Sequence, residues 1–359
     1  MDVECSDHDY CSNVEPAALD LSLGHNEDQS AEIERLQKRI EEITLSSKFC
    51  LERFAASDDD IRFFTRFASH AHLMAFWRQI EPATGKIVRV TRARTAAKTD
   101  EVPHAVNATS LQPIDEFFLF MTYLSLGLVQ KDLAQRFRIH QSTVSRIINT
   151  WANFLYTVLG AVGIWMDVET VKAHMPDVFQ FYSDTQVILD CTELRCQTPN
   201  SLLLQSEVFS FYKSHCTFKG LIGMAPHGAV TFVSSLYEGA ISDREILKQS
   251  GIVSLLKPTM AVMVDKGFLV EECVPCKVHI PTFLSKRAQL SGPDVRKTQS
   301  IARLRVHVER LIRRVKEHKI FSIVIPLSLT GSINQLYTVA CLLVNYQNGP
   351  LVKAWLSNF

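Results

Sequence analysis

Two short apolar runs in the second half of the chain each end in an aspartate, and they constrain the fold more than any other feature. Residues 186–189 are followed by Asp190, and residues 260–264 are followed by Asp265. Apolar runs of this length are typical of strands that are buried inside a sheet. The sequence therefore predicts a sheet in which two strands carry a carboxylate at their ends.

The elements around these runs predict an α/β fold with a mixed sheet. In order, they are a buried strand over 186–190, two strands (212–224 and 229–237) joined by a tight turn at 226–228, a helix that begins at Ser242, the strand 260–264, a short strand over 278–283 and a long basic helix over 298–319. Ser242 and Glu245 have the spacing of a capping box, which fixes the start of that helix. The apolar pattern of residues 336–343 predicts a final helix that packs against the core.

Three carboxylates in this region indicate metal chemistry. Strand ends place Asp190 and Asp265 side by side, and the basic helix brings Glu309 next to them. Ligand sets made only of oxygen favour Mg²⁺ or Mn²⁺ over zinc. Two such ions, roughly 3.5–4 Å apart, promote in-line displacement at a phosphodiester. The pattern predicts a metal-dependent nuclease; a metal phosphatase or another hydrolase is a weaker reading, because it leaves the helical domain described next unexplained.

A compact helical domain over 111–165 precedes the carboxylates. An apolar helix ends at Gly127, a short helix covers 131–137, and a third helix begins at Gln141 after a tight turn. This order is the helix-turn-helix arrangement, whose last helix enters the major groove. The exposed residues at the start of that helix have hydrogen-bonding side chains suited to bases or phosphates: Gln141, Ser142, Thr143, Ser145 and Arg146. The alternative is a three-helix bundle with no role in DNA binding.

Formal net charge is zero, but the charges are segregated along the chain. Residues 1–60 contain 16 acidic and 5 basic residues, whereas residues 296–319 contain 9 basic and 2 acidic ones. A cationic helix beside a metal site suits phosphate contact, although charged helix faces are often simply solvated. The predicted phosphate-binding residues on this helix are Arg303, Arg310, Arg313, Arg314 and Lys316.

The N-terminal segments carry a different pattern. Residues 1–30 are acidic and poor in large apolar side chains, so we expect a disordered tail. Residues 31–57 predict an amphipathic helix. Its seam of Ile33, Leu36, Ile40 and Ile43 fits either a short coiled coil, which would form a homodimer through residues 31–54, or packing on its own domain. Residues 58–110 predict a helical segment followed by a basic linker, and residues 347–359 a C-terminal tail.

Cysteine usage and hydropathy indicate an intracellular protein. Nine cysteines without regular spacing are typical of reduced thiols. We expect neither a signal peptide nor a membrane span, since no apolar run approaches about 18 residues. Cys273, Cys276 and His279 have a spacing that hints at zinc, but the sequence offers no convincing fourth ligand, and ordinary loop cysteines are the default.

Residues 184–346 resemble the endonuclease domain of PIF/Harbinger-type DDE transposases, and residues 111–160 resemble the helix-turn-helix that often precedes it. The segments that carry the likeness are 187–193, 218–223, 239–243, 264–268 and 306–310, with Lys316 downstream. The resemblance implies a ribonuclease-H-like fold, Asp190, Asp265 and Glu309 as the metal-binding triad, double-stranded DNA as substrate, and cleavage at element ends with transfer to a target.

The same resemblance implies that the protein acts in the nucleus. It also implies an accessory DNA-binding protein, which some relatives use. The chain departs from relatives that carry an N-terminal zinc finger, because Cys5, His8, Cys11 and His25 lack that spacing. Terminal-repeat recognition would then be missing or would rest on the helix-turn-helix. The alternative is a domesticated DNA-binding or scaffold protein that keeps the fold without catalysis.

Overall fold

The computed structural model describes residues 16–88, 111–282, 291–349 and 351–352. They fall into two compact units, one ending at Arg53 and one beginning at Phe54. Within these described ranges, no helix has the length and apolar character needed to cross a lipid bilayer. The basic linker predicted before residue 111 and the end of the C-terminal tail lie mostly outside the described residues.

The first unit contains a long helix, α1 (Pro16–Ser47), followed by the turn-length α2 (Leu51–Phe54), which ends at the start of the second unit. The helix begins well before residue 31, so it overlaps the tail expected over 1–30 from Pro16 onward. Ala, Leu, Glu and Gln are frequent in this stretch and favour helix, which the acidic composition alone did not reveal. Ile33, Leu36 and Ile40 of the predicted seam are exposed.

Five helices form the all-α part that precedes the sheet: α3 (Asp58–Thr65), α4 (His70–Thr84), α5 (Pro113–Leu126), α6 (Gln130–Phe137) and α7 (Gln141–Gly160). Gly127 ends α5 in a left-handed conformation (φ 62°), where a Cβ atom would press on the backbone of Ile320. Arg138 ends α6 in the same region of φ, and His140 caps α7. The predicted succession of helix, tight turn and helix is confirmed.

Trp151 of α7 anchors this helical part. Its ring lies 5.4 Å from that of Phe117 and 6.1 Å from that of Trp77, and its indole N–H donates to Glu116 at 3.2 Å. Burial of such large rings stabilises the bundle, and the hydrogen bond satisfies a polar group that would otherwise be buried at a cost.

The second part of this unit is a mixed seven-stranded sheet. Its strands are β1 (Thr185–Arg195), β2 (Phe209–Ser210), β3 (His215–Met224), β4 (Val230–Val233), β5 (Tyr237–Glu238), β6 (Ala261–Met263) and β7 (Lys277–His279). The central order is β2-β3-β1-β6-β7, with β4 and β5 paired to β3. β1 runs antiparallel to β3 and parallel to β6, and β6 runs parallel to β7. This is the ribonuclease-H-like arrangement, so the predicted fold class is confirmed.

Strand bounds differ from those expected. β1 runs on to Arg195, well past the apolar run, because Thr192 and Leu194 stay buried and pair with β3. The run expected over 212–224 divides into a turn and β3, whose start at His215 follows Ser214 at φ 58°. The last short strand ends at His279, and Phe283 lies outside the described residues.

Helices cover the sheet: α8 (Val168–Ala173), α9 (Leu202–Val208), α10 (Asp243–Gln249), α11 (Gly292–Lys316) and α12 (Ile333–Gln347). One apolar cluster joins Val187, Leu189 and Val262 to Ile246 and Leu247 of α10. Side chains alternate along a strand, so Ile188 and Asp190 point to the opposite side from Val187 and Leu189. α11 packs against β1 and β3, and α12 against β4.

A buried histidine ties the sheet to the helical part. His318 is fully buried, and its Nε2 lies 3.1 Å from Oε1 of Gln347, whose amide donates to the carbonyl of Thr65 in α3 at 3.0 Å. Burial lowers the pKa of His318 to about 4, and the charge of Arg66 acts in the same direction while Gln347 opposes it. The imidazole is therefore neutral in the folded protein at neutral pH.

Because of this buried histidine, we expect the free energy of unfolding to fall in mild acid. Its folded pKa lies below the unfolded value, so its contribution is present above about pH 6.5 and is lost as the pH falls toward 4, where the unfolded chain binds the extra proton. His318→Gln should remove about 2–3 kcal/mol of the difference in unfolding free energy between pH 7 and pH 4.5. Urea titrations at both values measure it, with exposed His72→Gln as the control. An unchanged pH dependence in His318→Gln would contradict the assignment.

Candidate active site and nucleic-acid interface

Two aspartates stand on neighbouring parallel strands at the same level of the sheet. Ile188 of β1 is the register partner of Met263 of β6, and Asp190 and Asp265 each follow two residues later. β6 ends at Met263, whereas β1 continues to Arg195. This leaves an opening beside β1, and the side-by-side arrangement expected from the two apolar runs follows from the parallel register.

Both aspartates line a cavity of about 670 Å³ at this opening, and Glu309 of α11 lines it too. Lys213, Lys219, Arg305 and Lys316 contribute positive charge to the same walls; the cavity thus combines acidic and basic side chains. Such a mixture suits a ligand that carries negative charge together with its counter-cations.

Arg305 is the residue that the sequence interpretation missed. Its side chain is 8% exposed, and its Nη1 donates to Oδ1 of Asp265 at 2.6 Å, while Nη2 lies 3.7 Å from Oδ1 of Asp190. The guanidinium thus places one positive charge between the two aspartates. The available signal was its position four residues before Glu309, which puts both side chains on one helix face.

Asp190 is the most strongly perturbed carboxylate of the site. Its side chain is 21% exposed, and burial raises its pKa to about 6. Arg305 opposes the shift, whereas the charges of Asp265 and Glu309 add to it. Asp190 thus feels the charge of both other acids, as expected for a group in a shared cation site.

The donor set fits a hard divalent cation. All three acids offer oxygen, and a positive charge already lies between Asp190 and Asp265. In this arrangement, however, no three His, Cys, Asp or Glu side chains of the described ranges are close enough together to hold a metal ion. Because like charges repel, a divalent cation held by these acids would supply the positive charge that the Arg305 guanidinium now supplies to Asp190 and Asp265.

Comparison with protein families agrees with this geometry. Residues 189–345 match the family model described as DDE superfamily endonuclease, and residues 109–161 match that described as helix-turn-helix of DDE superfamily endonuclease. Residues 189–345 thus form a DDE superfamily endonuclease domain, which is preceded by the helix-turn-helix of that superfamily. Comparison with curated proteins and with solved structures finds no match. The endonuclease match contains Asp190, Asp265 and Glu309, and the second match contains the whole of α6 and α7.

The basic residues predicted on α11 divide into two groups in the DDE domain. Arg303, Arg310 and Arg313 are exposed. Arg314 donates to the carbonyl of Gly349 at 2.8 Å, and Lys316 donates to the carbonyl of Glu193 at 2.9 Å. The second group is therefore partly committed to holding the domain together, although Lys316 still lines the cavity.

The DDE helix-turn-helix presents its predicted reading residues at the start of α7. Gln141, Ser142 and Arg146 are exposed, and Thr143 and Ser145 are half-buried. Arg146 is oriented by its own helix, because its guanidinium donates to Thr143 Oγ1 at 3.0 Å. A second cavity, of about 470 Å³, is lined by Gln141 and Ser145 together with Ile320, Ile323 and Pro326 from the DDE domain, so this face borders both parts of the protein.

Arg146→Ala is expected to weaken binding to a mixed-sequence DNA duplex about tenfold, because one charged hydrogen-bonding contact is lost. The slope of log Kd against log salt should also become shallower by about one. Fluorescence anisotropy at several salt concentrations measures both. Arg136→Ala is the matched control, since that guanidinium is paired with Asp132 at 2.6 Å. Affinity that stays unchanged across the salt series would remove α7 from the interface.

The residues that hinted at zinc have other neighbours in the structure. His279 Nε2 lies 2.7 Å from Oδ1 of Asp184, which also pairs with Lys277 at 2.7 Å. Arg244 donates to Sγ of Cys273 at 3.2 Å. Cys273 and His279 thus make separate contacts.

Proposed function

We propose that this protein is a metal-dependent DNA endonuclease that cuts DNA strands and joins them to a target, as a transposase does. The observation that carries the proposal is the cavity shared by Asp190, Asp265 and Glu309 within a DDE superfamily domain. The preceding helix-turn-helix supports double-stranded DNA as the substrate. Neither feature is expected for a hydrolase of small molecules.

In the proposed reaction, Asp190, Asp265 and Glu309 would hold two divalent cations, Mg²⁺ or Mn²⁺. These ions would supply positive charge that stabilises the attacking and leaving oxygens of an in-line displacement. The oxygen of water bonds to phosphorus while the P–O3′ bond breaks, which leaves a 5′-phosphate and a free 3′-hydroxyl. That hydroxyl then displaces a 3′-oxygen in the target strand. Gln141 to Arg146 and the exposed arginines of α11 hold the duplex.

The proposal is tested by incubating the full chain with supercoiled DNA and Mn²⁺. The wild type should nick the DNA, and Asp265→Ala should lose nicking by about a thousandfold or more, because a missing ligand removes several kcal/mol of transition-state stabilisation. Binding of Asp265→Ala to DNA should stay close to that of the wild type, which excludes misfolding as the cause. Nicking that persists unchanged in Asp265→Ala would refute the proposal.

A second candidate, a non-catalytic DNA-binding or scaffold protein on the same fold, is favoured by one observation. Arg305 pairs with Asp265 and approaches Asp190, so a side chain of the protein already offsets part of the acidic charge that a metal would otherwise neutralise. In that case the wild type and Asp265→Ala would behave alike with Mn²⁺ while both bind DNA. Added Mn²⁺ would also leave the melting temperature of the wild type unchanged.

Three finer proposals rest on the resemblance stated above. We propose that the DDE domain is of the PIF/Harbinger type, for which inverted repeats flanking the genomic locus are the check, and that the protein works in the nucleus, which imaging of the tagged chain tests. We also propose that an accessory protein shares the recognition of element ends. Specific binding of those ends by the purified chain alone would argue against such a partner.

We further propose that α1 pairs with a second copy of the chain. Ile33, Leu36 and Ile40 lie along one side of this helix and are exposed, and burying such a row is the usual drive for helix pairing. Sedimentation of the full chain should give a dimer, and Leu36→Asp should give a monomer. A wild-type monomer at micromolar concentration would rule this pairing out.

A further inference from the structure

The turn between β2 and β3 carries two aromatic rings that are almost fully exposed. Phe211 is 86% exposed and Tyr212 is 84% exposed. A single exposed ring is common on protein surfaces, but adjacent rings at the tip of one hairpin are a costly use of apolar area. The tip is therefore suited to bind a ligand with a flat apolar surface.

This tip is held in place before any ligand binds. The backbone N–H of Ser214 donates to the carbonyl of Ser210 at 2.8 Å, and the N–H of Lys213 donates to Ser210 Oγ at 3.2 Å. The ring of Phe211 lies 5.5 Å from that of Phe209 in a T-shaped contact. A ring that is already positioned loses little conformational freedom on binding, which favours affinity.

The same turn also forms part of the wall of the cavity that contains the three acidic side chains. Tyr212 and Lys213 line it together with Asp190, Asp265 and Glu309. A ligand that touches Tyr212 from inside this cavity therefore lies next to the carboxylates. It is expected to be part of the same molecule whose phosphodiester is cut.

Positive charge accompanies the ring. Nζ of Lys213 lies 4.4 Å from the centroid of the Tyr212 ring. Burial first, and the charge of Lys213 second, lower the pKa of Lys316 on the facing helix, so the two ammonium groups sense each other. A phosphate near both would relieve this repulsion, whereas an apolar protein partner would leave it in place.

We propose that Tyr212 stacks on a nucleobase that is unpaired beside the phosphate to be cut, with Lys213 on the adjoining phosphate. This rests on the proposed function and specifies its substrate as DNA that is locally opened. Stacking on an aromatic ring requires a base outside the helix, and it is tolerant of sequence because every base has a flat face. Phe211, at the outer side of the tip, adds apolar surface next to the stacked base.

Two DNA probes test the proposal with the full chain in Ca²⁺ buffer, chosen so that binding is followed without cleavage. The first is a duplex with a short unpaired segment that contains 2-aminopurine, whose fluorescence falls when it stacks. The second has the same sequence fully paired. The wild type should prefer the first probe and quench its fluorescence. Tyr212→Ala should bind it about tenfold more weakly and lose the quenching, while its affinity for the paired probe changes by less than about twofold.

The controls separate stacking from other effects. Tyr212→Trp keeps a flat ring and should retain both affinity and quenching. Phe181→Ala removes a ring that is 83% exposed but lies outside this cavity, and it should behave as the wild type. The proposal is overturned if Tyr212→Ala loses affinity equally for both probes or keeps its affinity for both. It is also overturned if the wild type binds the unpaired probe no more tightly than the paired one.

Failure of the stacking and failure of the catalytic proposal give different results. A chain that never nicks DNA with Mn²⁺ but quenches the probe through Tyr212 keeps the stacking and loses only catalysis. A chain that nicks DNA but ignores the unpaired base loses only the stacking. Loss of binding to both probes in Tyr212→Ala would instead assign this residue to general contact with the DNA backbone.

Discussion

Asp190→Asn should lose Mn²⁺-dependent cleavage by about a thousandfold or more and, in the same protein, gain stability in the absence of metal above pH 6. The two effects have one cause. A carboxylate that is 21% exposed and lies near two other acids is costly to ionise without a metal ion even beside Arg305, and that cost is what raises its pKa to about 6. Asparagine keeps the shape of the side chain and removes the charge.

The sign of the stability effect follows from linkage. The folded pKa of Asp190 lies above its unfolded value of 3.8, so this group stabilises the fold fully below about pH 4 and loses that contribution as the pH rises through 6. A difference of about two pKa units corresponds to about 3 kcal/mol. Urea unfolding with chelator at pH 4.5 and pH 8 should show a smaller decline in Asp190→Asn than in the wild type.

Opposite signs in the two assays make this prediction specific. A residue with a purely structural role would lower stability and activity together when it is replaced. Asp190→Asn with full metal-dependent cleavage would remove this carboxylate from catalysis, and equal pH dependence of the two proteins would contradict the electrostatic description of the cavity.

Arg305→Gln should destabilise the metal-free protein by about 3 kcal/mol. Removing one partner of a buried ion pair leaves the other charge uncompensated, which costs roughly 3–5 kcal/mol, and the 53% exposure of the Asp265 side chain favours the lower end. Nε of Arg305 is buried without a hydrogen-bond partner, so the guanidinium is held mainly by its two acidic neighbours.

Bound Mn²⁺ should restore the stability that Arg305→Gln loses. A cation that replaces the guanidinium supplies the missing charge, so saturating Mn²⁺ should raise the melting temperature of Arg305→Gln more than that of the wild type. Calorimetric titration should also give tighter Mn²⁺ binding to the variant, because no internal cation competes. Arg303→Gln, an exposed arginine on the same helix, serves as control. Equal Mn²⁺ affinity in Arg305→Gln and the wild type would show that the guanidinium and the metal do not share a place.

The sequence predicted the parts of the site that depend on local pattern. A buried strand that ends in a carboxylate is recognisable from a few residues, and this was enough to predict Asp190 and Asp265 side by side. Glu309 could be added because a helix on the sheet is expected to face it. The sheet class and the helix-turn-helix follow from similar local signals.

Features that depend on distant contacts could not be predicted in the same way. Arg305 differs from Arg303 and Arg310 only in the direction its side chain takes from α11, and that direction is set by how the helix lies on β1. The contacts of Arg314 and Lys316 with the backbone have the same origin. The division of residues 212–224 into a turn and a strand depends on Ser210, which binds the turn from the neighbouring strand.

The position of α12 bears on the distance along the DNA between the bases that such a protein would bind and the bond that it would cut. This helix packs against α7 of the helix-turn-helix and against β4 of the sheet, and Gln347 at its end reaches the carbonyl of Thr65. The helix-turn-helix and the sheet that carries Asp190 are thus joined through one packed helix. Under the proposed function, the offset between the bases that α7 grips and the severed bond is a fixed number of steps along the duplex.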